Sequence, residues 1–598
     1  MSKIKINNNI FITIFITIFI IFWLWPLWNM NGLAVVSDAN GYLQKIEAFR
    51  VTLLEYKQFP QNNPWIRGGQ PLSVLILSPF SVQFWLALIF ETKKAISLYI
   101  LLCFLILFYG SYKLSSFYFK KKLFKYSFAL LSIFNIGLLF QLKGGHFVFL
   151  SFCYFPLILY FLLKHRSMKY SGVFAGYFFG LMLDTDVAYM SSYCALILTI
   201  YIIYFFFNFK NNSRKKLVRW IVFFTLTALC VVGYKLNLLL EIRAEFPRTG
   251  SSGHFANIFS LIKSYIIPYY DLSGSTFPGR RYCQSTWENS VYIGIIGFIF
   301  IYYSFKNKLN LIHYIVIFFF LMQLGTKKFL PYGILQNFPV FDSHYCYNRV
   351  RSFNSFYLTF LILYGFQYIS QNENIFKNKF YKIYTYKNYL LIFVILERLL
   401  TSHLLIYDTH KEYKDANIFS KYFVPYKNYE TLKKYENNKK FFNYSLLPTY
   451  DATKQNIGVM RWDGESFFNF TSYIEDGYFG PYAKDEVEYK GEFTVDEKII
   501  EPSYWSPNLI IFENLELNKK LELNMSPNRG WKLNNKDLFP KNKIWDHNKE
   551  FIVNITKPTI TLTYEVPGKK KGIFINFLIL CILLISIYYF RNDKIYKK

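Results

Sequence analysis

The chain has 598 residues, is 53% hydrophobic and 21% aromatic, and carries a formal net charge of +30. Apolar runs near the roughly 17–25 residues that cross a bilayer as a helix recur along most of its length, which excludes a soluble globular protein. The positive charge does not indicate nucleic-acid binding: Lys, Asn, Ile, Phe and Tyr are abundant throughout, Lys and Arg gather in short loops between apolar runs, and no nucleic-acid module is present.

The first run, IFITIFITIFIIFWLWPLW, is long and aromatic with no small-residue cleavage site behind it, so it reads as a retained span over residues 10–28. Basic clusters at 116–127, 164–169, 208–219, 305–309, 371–387 and 591–598 fix the topology if all are cytoplasmic. That arrangement requires the segment 71–90, which contains Ser73, Ser78, Pro79 and Ser81, to stay interfacial or re-entrant inside a first outer loop of 29–94. Further spans are then expected at 95–115, 128–143, 147–163, 172–183, 191–207, 217–238, 291–305, 310–325, 351–369, 388–406 and 572–591. This makes about twelve, with both termini cytoplasmic in a plasma or inner membrane. Three regions follow: a transmembrane domain over 1–406, an extracytoplasmic domain over 407–570, and a final helix with a basic tail over 571–598.

The middle region changes character. Runs such as LIIFENLELNKKLELNM and FIVNITKPTITLTYEV alternate apolar with polar residues and are punctuated by Pro, Asn and Gly, the pattern of a mainly β, sandwich-like domain. Its Trp505 and Trp531 suit either ring stacking on a sugar or a place in the core. Cys103, Cys153, Cys194, Cys230 and Cys581 lie in or beside spans, as small core residues do, while Cys283 and Cys346 fall in outer loops and can pair in an oxidising compartment. No CxxC or Cys/His zinc spacing occurs.

The expected topology collects carboxylates on one membrane face. Asp184 and Asp186 flank Thr185 between two apolar runs, and Asp38 follows the first span by about ten residues. Carboxylates so placed repel unless a cation, a proton or a base role resolves them; their oxygens suit Mg²⁺ or Mn²⁺, and one alone can take a proton from a hydroxyl. A helix cap is the plainer role for each of the three. The same face holds His146 in the turn KGGHFVF, Arg67 in PWIRGGQPL, Arg280, Arg281 and Glu288 in FPGRRYCQSTWENSVYIG, and Arg349 and Arg351 in FDSHYCYNRVRSF. Arginine suits phosphate because its planar fork makes two parallel charge-assisted bonds, whereas a helix-end arginine can simply anchor at the headgroups.

With these residues in view, the chain resembles the GT-C class of polytopic membrane glycosyltransferases and, more narrowly, the YfhO-like bacterial membrane proteins. The resemblance rests on SDANGYL with its acid in the first outer loop, the PW…GGQPL segment, GGHFVFLSFCYFPLILYFL, ENSVYIGIIGFIFI, LGTKKFLPYGILQNFPVFDSHYCYNRVRSF, and the terminal YWSPNLIIFE, NRGWKL and TLTYEVPGKKKGIFINFL. It implies an α-helical GT-C-like membrane domain that moves sugar at the outer face from a polyprenyl-phosphate-linked donor to a cell-envelope glycan or polymer. Asp38 is then the leading catalytic residue, with Asp184 and Asp186 near the donor or a metal. The run NRVRSF stands where the family has Pro-Arg-Phe, so either Arg349 or Arg351 can correspond. Two other classes compete: a transporter or flippase of lipid-linked glycans, which calls for charge at bilayer mid-depth, and a non-catalytic envelope-assembly protein. The spans read as nearly acid-free, which favours chemistry over transport.

Overall fold

The computed structural model describes residues 8–28, 38–65, 69–71, 79–143, 145–185, 189–245, 258–267, 291–324, 330–338, 340–341, 347–372, 381–415, 493–525, 530–539 and 551–589. The apolar runs fold as helices because a backbone in lipid must satisfy its own N–H and C=O groups. In chain order these are α1 (Asn8–Trp23), α2 (Trp25–Trp28), α3 (Asp38–Leu54), α4 (Val82–Ile89), α5 (Thr92–Ser115), α6 (Lys122–Ile133), α7 (Ile136–Lys143), α8 (Phe155–Leu163), α9 (Ser171–Thr185), α10 (Met190–Asn208), α11 (Asn211–Glu245) and α12 (Ile258–Ile266). There follow α13 (Ile295–Ser304), α14 (Leu311–Gln323), α15 (Pro331–Leu335), α16 (Arg351–Gln371), α17 (Tyr381–Asp415) and α18 (Lys569–Tyr589).

Seven helical stretches among the described residues are long and apolar enough to cross a membrane: Thr92–Ser115, Lys122–Leu142, Phe147–Arg166, Met190–Asn208, Asn211–Lys235, Tyr386–Tyr407 and Lys569–Tyr589. The chain is therefore an α-helical polytopic membrane protein with a C-terminal β domain, but not every expected span is a helix of spanning length. The ten residues of α13 and thirteen of α14 reach only about 15 and 20 Å. In the segment 71–90, α4 has eight residues, about 12 Å, with Phe80, Val82, Trp85 and Ile89 exposed along it. The last long helix before the β domain does not stop at residue 406; α17 continues to Asp415.

Helix α16 is the buried centre of the bundle despite its polar content. Arg351, Ser352, Asn354, Ser355 and Thr359 are all buried on it. Other parts of the bundle bond two of these residues. Asn354 donates to Gln323 Oε1 of α14 at 3.2 Å and to the Tyr265 hydroxyl of α12, and Asn135, between α6 and α7, donates to Ser352 O at 2.9 Å.

Small residues set the closest helix pair. Gly172, Gly176 and Gly180 recur every four residues along α9, so they form one ridge. A Cβ on each would come within 2.5 Å of Trp220 O, 2.3 Å of Phe224 O and 2.7 Å of Val231 Cβ on α11. This is the small-residue packing by which membrane helices approach closely. Its register also decides what faces what one turn further on: Asp184 meets Lys235.

The β domain is a sandwich. Antiparallel sheets of four strands (β10-β7-β3-β4) and five (β5-β6-β11-β8-β9) share one core. In the first, β3 is Phe493–Val495, β4 Lys498–Ile499, β7 Lys520–Leu523 and β10 Ile552–Asn554; in the second, β5 is Tyr504–Ser506, β6 Leu509–Phe512, β8 Trp531–Leu533, β9 Lys536–Asp537 and β11 Ile560–Tyr564. Alternation is visible in β11, where Ile560, Leu562 and Tyr564 are buried and Thr561 and Thr563 are only half-buried. Trp531 is a core residue, packed edge-on against Tyr564 with ring centroids 5.2 Å apart.

The sandwich docks on the segment after α3. Asn62 and Asn63 (β1) pair with Pro71 and Gln70 (β2) in a small ribbon. The Asn508 carboxamide bridges to that segment: its Oδ1 accepts from Asn62 N at 3.0 Å, and its Nδ2 donates to Phe59 O at 2.8 Å. Gln58 Nε2 adds a bond to Ser506 Oγ at 2.7 Å. Trp505 belongs to this interface, its ring 5.8 Å from Tyr56 and 6.5 Å from Trp65. Burial there raises the Tyr56 phenol above its ordinary range. At the sandwich's exit toward α18, the Lys532 ammonium, 2.5 Å from Glu565 Oε2, holds that carboxyl below its ordinary range. Replacing Asn508 by Ala orphans Asn62 N and Phe59 O. It is expected to weaken docking by about 1–3 kcal/mol, seen as faster amide hydrogen exchange over residues 58–63 with the helices unchanged.

Candidate active site

The turn between α7 and the 3₁₀ segment Phe147–Tyr154 is built around Gly145. Its φ is +78°, which L side chains rarely adopt. The space a Cβ would need is taken by the start of α3, since it would lie 2.5 Å from Ala39 N and 2.9 Å from Ala39 Cβ. Helix α3 begins at Asp38, so the backbone of that residue is held against the Gly-Gly-His turn. Two aromatic and polar contacts extend the seam: Tyr42 lies edge-on to Phe147 with centroids 5.6 Å apart, and Gln83 Nε2 donates to the Tyr42 hydroxyl at 2.6 Å.

His146 is buried, and its Nδ1 lies 2.7 Å from Gln141 Oε1. A carboxamide oxygen there accepts from Nδ1–H, which makes Nε2 the basic nitrogen of the ring. The imidazole is 5.7 Å from the Phe149 ring, which stacks on Tyr189 at 5.7 Å. Arg349, itself buried, lies over both, 4.3 Å from the Tyr189 centroid and 5.3 Å from that of Phe149. Such faces hold a guanidinium in a partly desolvated place by cation–π attraction. One end of the bundle thus joins the first residue of α3, an imidazole and a guanidinium.

Arg351 goes elsewhere. It is wholly buried and packs on Gly137, about two turns of α7 from the Gly-Gly-His turn, so it is no headgroup anchor. Asp184 also departs from expectation. Its carboxylate is buried with Oδ1 3.4 Å from Lys235 Nζ, and Lys235 further donates to the Asp184 carbonyl. An ammonium beside that carboxylate balances its charge and disfavours a second cation there. Of Asp38, Asp184 and Asp186, the candidate Mg²⁺ or Mn²⁺ ligands, Asp184 is the one whose side chain is described. Asp184 still belongs to the same end of the bundle, because the five-residue step from Asp184 to Tyr189 spans at most about 18 Å. Asp186, Arg67, Arg280, Arg281 and Glu288 lie outside the described residues, as do Cys283, Cys346 and the side chain of Asp38. Among the described residues, no group of three or more His, Cys, Asp or Glu gathers as metal ligands.

Two features escape the sequence reading. Lys235 was legible, since it follows Trp220, Phe224, Thr227 and Val231 on the α11 face that meets the glycine ridge. The second is an exception within spans read as nearly acid-free: Glu397, with Arg398 beside it, sits near the middle of the spanning stretch Tyr386–Tyr407.

No protein-family model matches the chain, so none supports the YfhO-like resemblance, and no curated protein matches it. Among solved structures it is similar to the arabinofuranosyltransferase AftD from Mycobacteria, determined by single-particle cryo-electron microscopy, at 11% identity and a TM-score of 0.43. The likeness covers 74% of this chain and 31% of that one, so the protein spans about a third of that structure's length.

Breaking the buried pair should be costly from either side. Lys235→Met or Asp184→Asn alone is expected to lower stability by about 3–5 kcal/mol, because each leaves one uncompensated buried charge. The double variant should recover most of that loss in detergent unfolding.

Proposed function

We propose that the chain is a membrane glycosyltransferase that moves a sugar from a polyprenyl-phosphate-linked donor to a cell-envelope acceptor at the extracytoplasmic face. The observation that supports this reading is the contact of Gly145 with Ala39, which holds the first turn of α3 against the turn that carries His146, near the Arg349 aromatic seat. An acid, an imidazole and a guanidinium are the groups that transfer from a phosphate-linked sugar needs.

In the proposed step Asp38 takes the proton of the acceptor hydroxyl as its oxygen attacks the anomeric carbon. The bond from that carbon to the phosphate oxygen breaks on the opposite side, so the configuration inverts. The electron pair leaves with the polyprenyl phosphate. Arg349 stabilises the charge that grows there, and its seat on Tyr189 and Phe149 fixes its fork beforehand. Asp184 acts by position, holding the end of α9 to Lys235. The polyprenyl tail lies in lipid between helices, and no step passes through a metal ion.

A second reading, a flippase of lipid-linked glycans, draws on the charged pair within α17, since intramembrane charge marks transport paths as well as binding sites.

Full-length protein in lipid nanodiscs with a radiolabelled polyprenyl-phosphate sugar and a glycan acceptor separates these readings. Asp38→Asn is expected to lower transfer by about 10²–10⁴-fold, and Arg349→Lys by about tenfold or more through loss of the fork. Wild-type transfer by correctly inserted Asp38→Asn overturns the assignment. Donor translocation across proteoliposomes without transfer establishes the flippase instead.

A further inference from the structure

The backbone of residues 291–294 runs irregularly beside the bundle core. Val291 N and Tyr292 N both donate to Ser264 O, at 3.2 and 3.1 Å, and Ile293 N donates to Tyr265 O at 2.7 Å, so α12 supplies the partners that lipid cannot. Tyr292 has φ of +32° and Gly294 of +75°. Strain at a bulky residue such as Tyr292 persists only where its surroundings over-determine it. Helix α13 then starts at Ile295 and runs ten residues, about half of a roughly 30 Å apolar core. It is a half-helix whose amino end lies inside the membrane, and its N-cap, Gly294, offers no side-chain capping bond.

Glu397 of α17 meets that end, and its neighbour Arg398 bonds across to α16. The Glu397 carboxylate fills the space a Cβ on Gly294 would need, with Oε2 2.5 Å from that position. It accepts from the Tyr292 hydroxyl at 2.6 Å, while its Oε2 is buried without a hydrogen-bond partner. Arg398 is wholly buried, twelve residues from Tyr386 and nine from Tyr407, so about 18 and 13 Å from the ends of the spanning stretch. Its Nη1 donates to Thr359 Oγ1 of α16 at 3.5 Å. Its Nε and Nη2 have no hydrogen-bond partner among the described residues. Glu397, the next residue in the helix, favours the charge on Arg398 from beyond ion-pair distance, with its Oε1 taken by the Tyr292 hydroxyl.

Nε–H and Nη2–H lie along one edge of the guanidinium and form the fork that receives two oxygens of one oxyanion. A half-helix amino end adds about half a positive charge nearby. One guanidinium and one helix end, already sharing the space with a carboxylate, leave room for at most one further negative charge and exclude a dianion. A lipid-borne source fits the depth. Phe393, Leu396 and Leu400 of α17 are exposed on the bundle surface beside the half-buried Glu397, so an apolar tail can lie along them while its head turns inward. A solute from water would have to cross about 13 Å of apolar surroundings.

We infer that Arg398, with the amino end of α13, Tyr292 and Glu397, forms an intramembrane site for a monoanionic oxyanion, carboxylate or phosphodiester, carried on an apolar tail. The site is separate from the Arg349 seat, and its occupancy is read without turnover. The test places 3-fluorotyrosine at position 292 of the full chain in nanodiscs of zwitterionic lipid and follows its ¹⁹F resonance. The added probes are oleate, methyl farnesyl phosphate and acetate. Saturable shifts with oleate or with methyl farnesyl phosphate are expected, and which one acts identifies the head group. Arg398→Lys, which keeps the charge but loses the fork, should weaken that binding at least tenfold. Arg349→Lys should leave it unchanged. Shifts with acetate alone, no shift with any probe, or wild-type affinity in Arg398→Lys each overturn the proposal. If Arg398→Lys fails to insert, Thr359→Val serves in its place. That variant removes only the hydroxyl that orients Nη1 and should weaken binding several-fold, and unchanged affinity overturns the proposal equally.

Discussion

The fit of Gly145 against the backbone of Ala39 is the constraint on which the candidate site depends. Any side chain at 145 would have to displace the first turn of α3 and at the same time adopt a backbone conformation that costs an L residue about 1–2 kcal/mol. Glycine removes both penalties, so the start of the first outer segment and the turn before the 3₁₀ segment share one place. Everything else at that end follows from neighbouring contacts: Gln141 orients His146, Phe149 stacks on Tyr189, and their faces hold Arg349.

The same rule, that polar groups within lipid need partners from protein, explains the parts that look least regular. The amides of 291–293 use carbonyls of α12, and Asn354 in α16 is bonded by Tyr265 and Gln323. Asp184 and Lys235 neutralise each other where the glycine ridge of α9 brings α11 closest. Two donors of Arg398 have no such partner among the described residues. On the other side of the site, Trp505 and Asn508 of the sandwich fasten the segment after α3 and so limit how far the start of that helix can drift.

Much of the architecture was legible in residue patterns. Apolar length gave the helical membrane domain, and period-two alternation gave the sandwich, as Ile560, Leu562 and Tyr564 illustrate. The serines and proline within 71–90 pointed to a segment that does not cross; its described helix, α4, has eight residues. Hydropathy could not show that residues 291–294 are irregular, because an apolar run looks alike whether it is a whole helix or half of one. Nor did it register Glu397 and Arg398, whose strongly apolar neighbours hide two adjacent charges. The four-residue glycine spacing ending in Asp184 was in plain sight, and it specifies a helix contact more directly than the acid alone specifies catalysis. The bridging place of Trp505 had no signal in the sequence, since it depends on a partner more than 400 residues away.

The central claim is that the start of α3 and the Gly-Gly-His turn touch. It is tested most directly by placing the photo-crosslinker p-benzoylphenylalanine at Tyr42, irradiating native membranes and reading the linked peptides by mass spectrometry. Cross-links from position 42 to the peptide that carries Phe147 are the expected result, since those two rings lie 5.6 Å apart. Inserted, full-length protein in which position 42 links only elsewhere would contradict the account, and the grouping of Asp38 with His146 and Arg349 would fall with it.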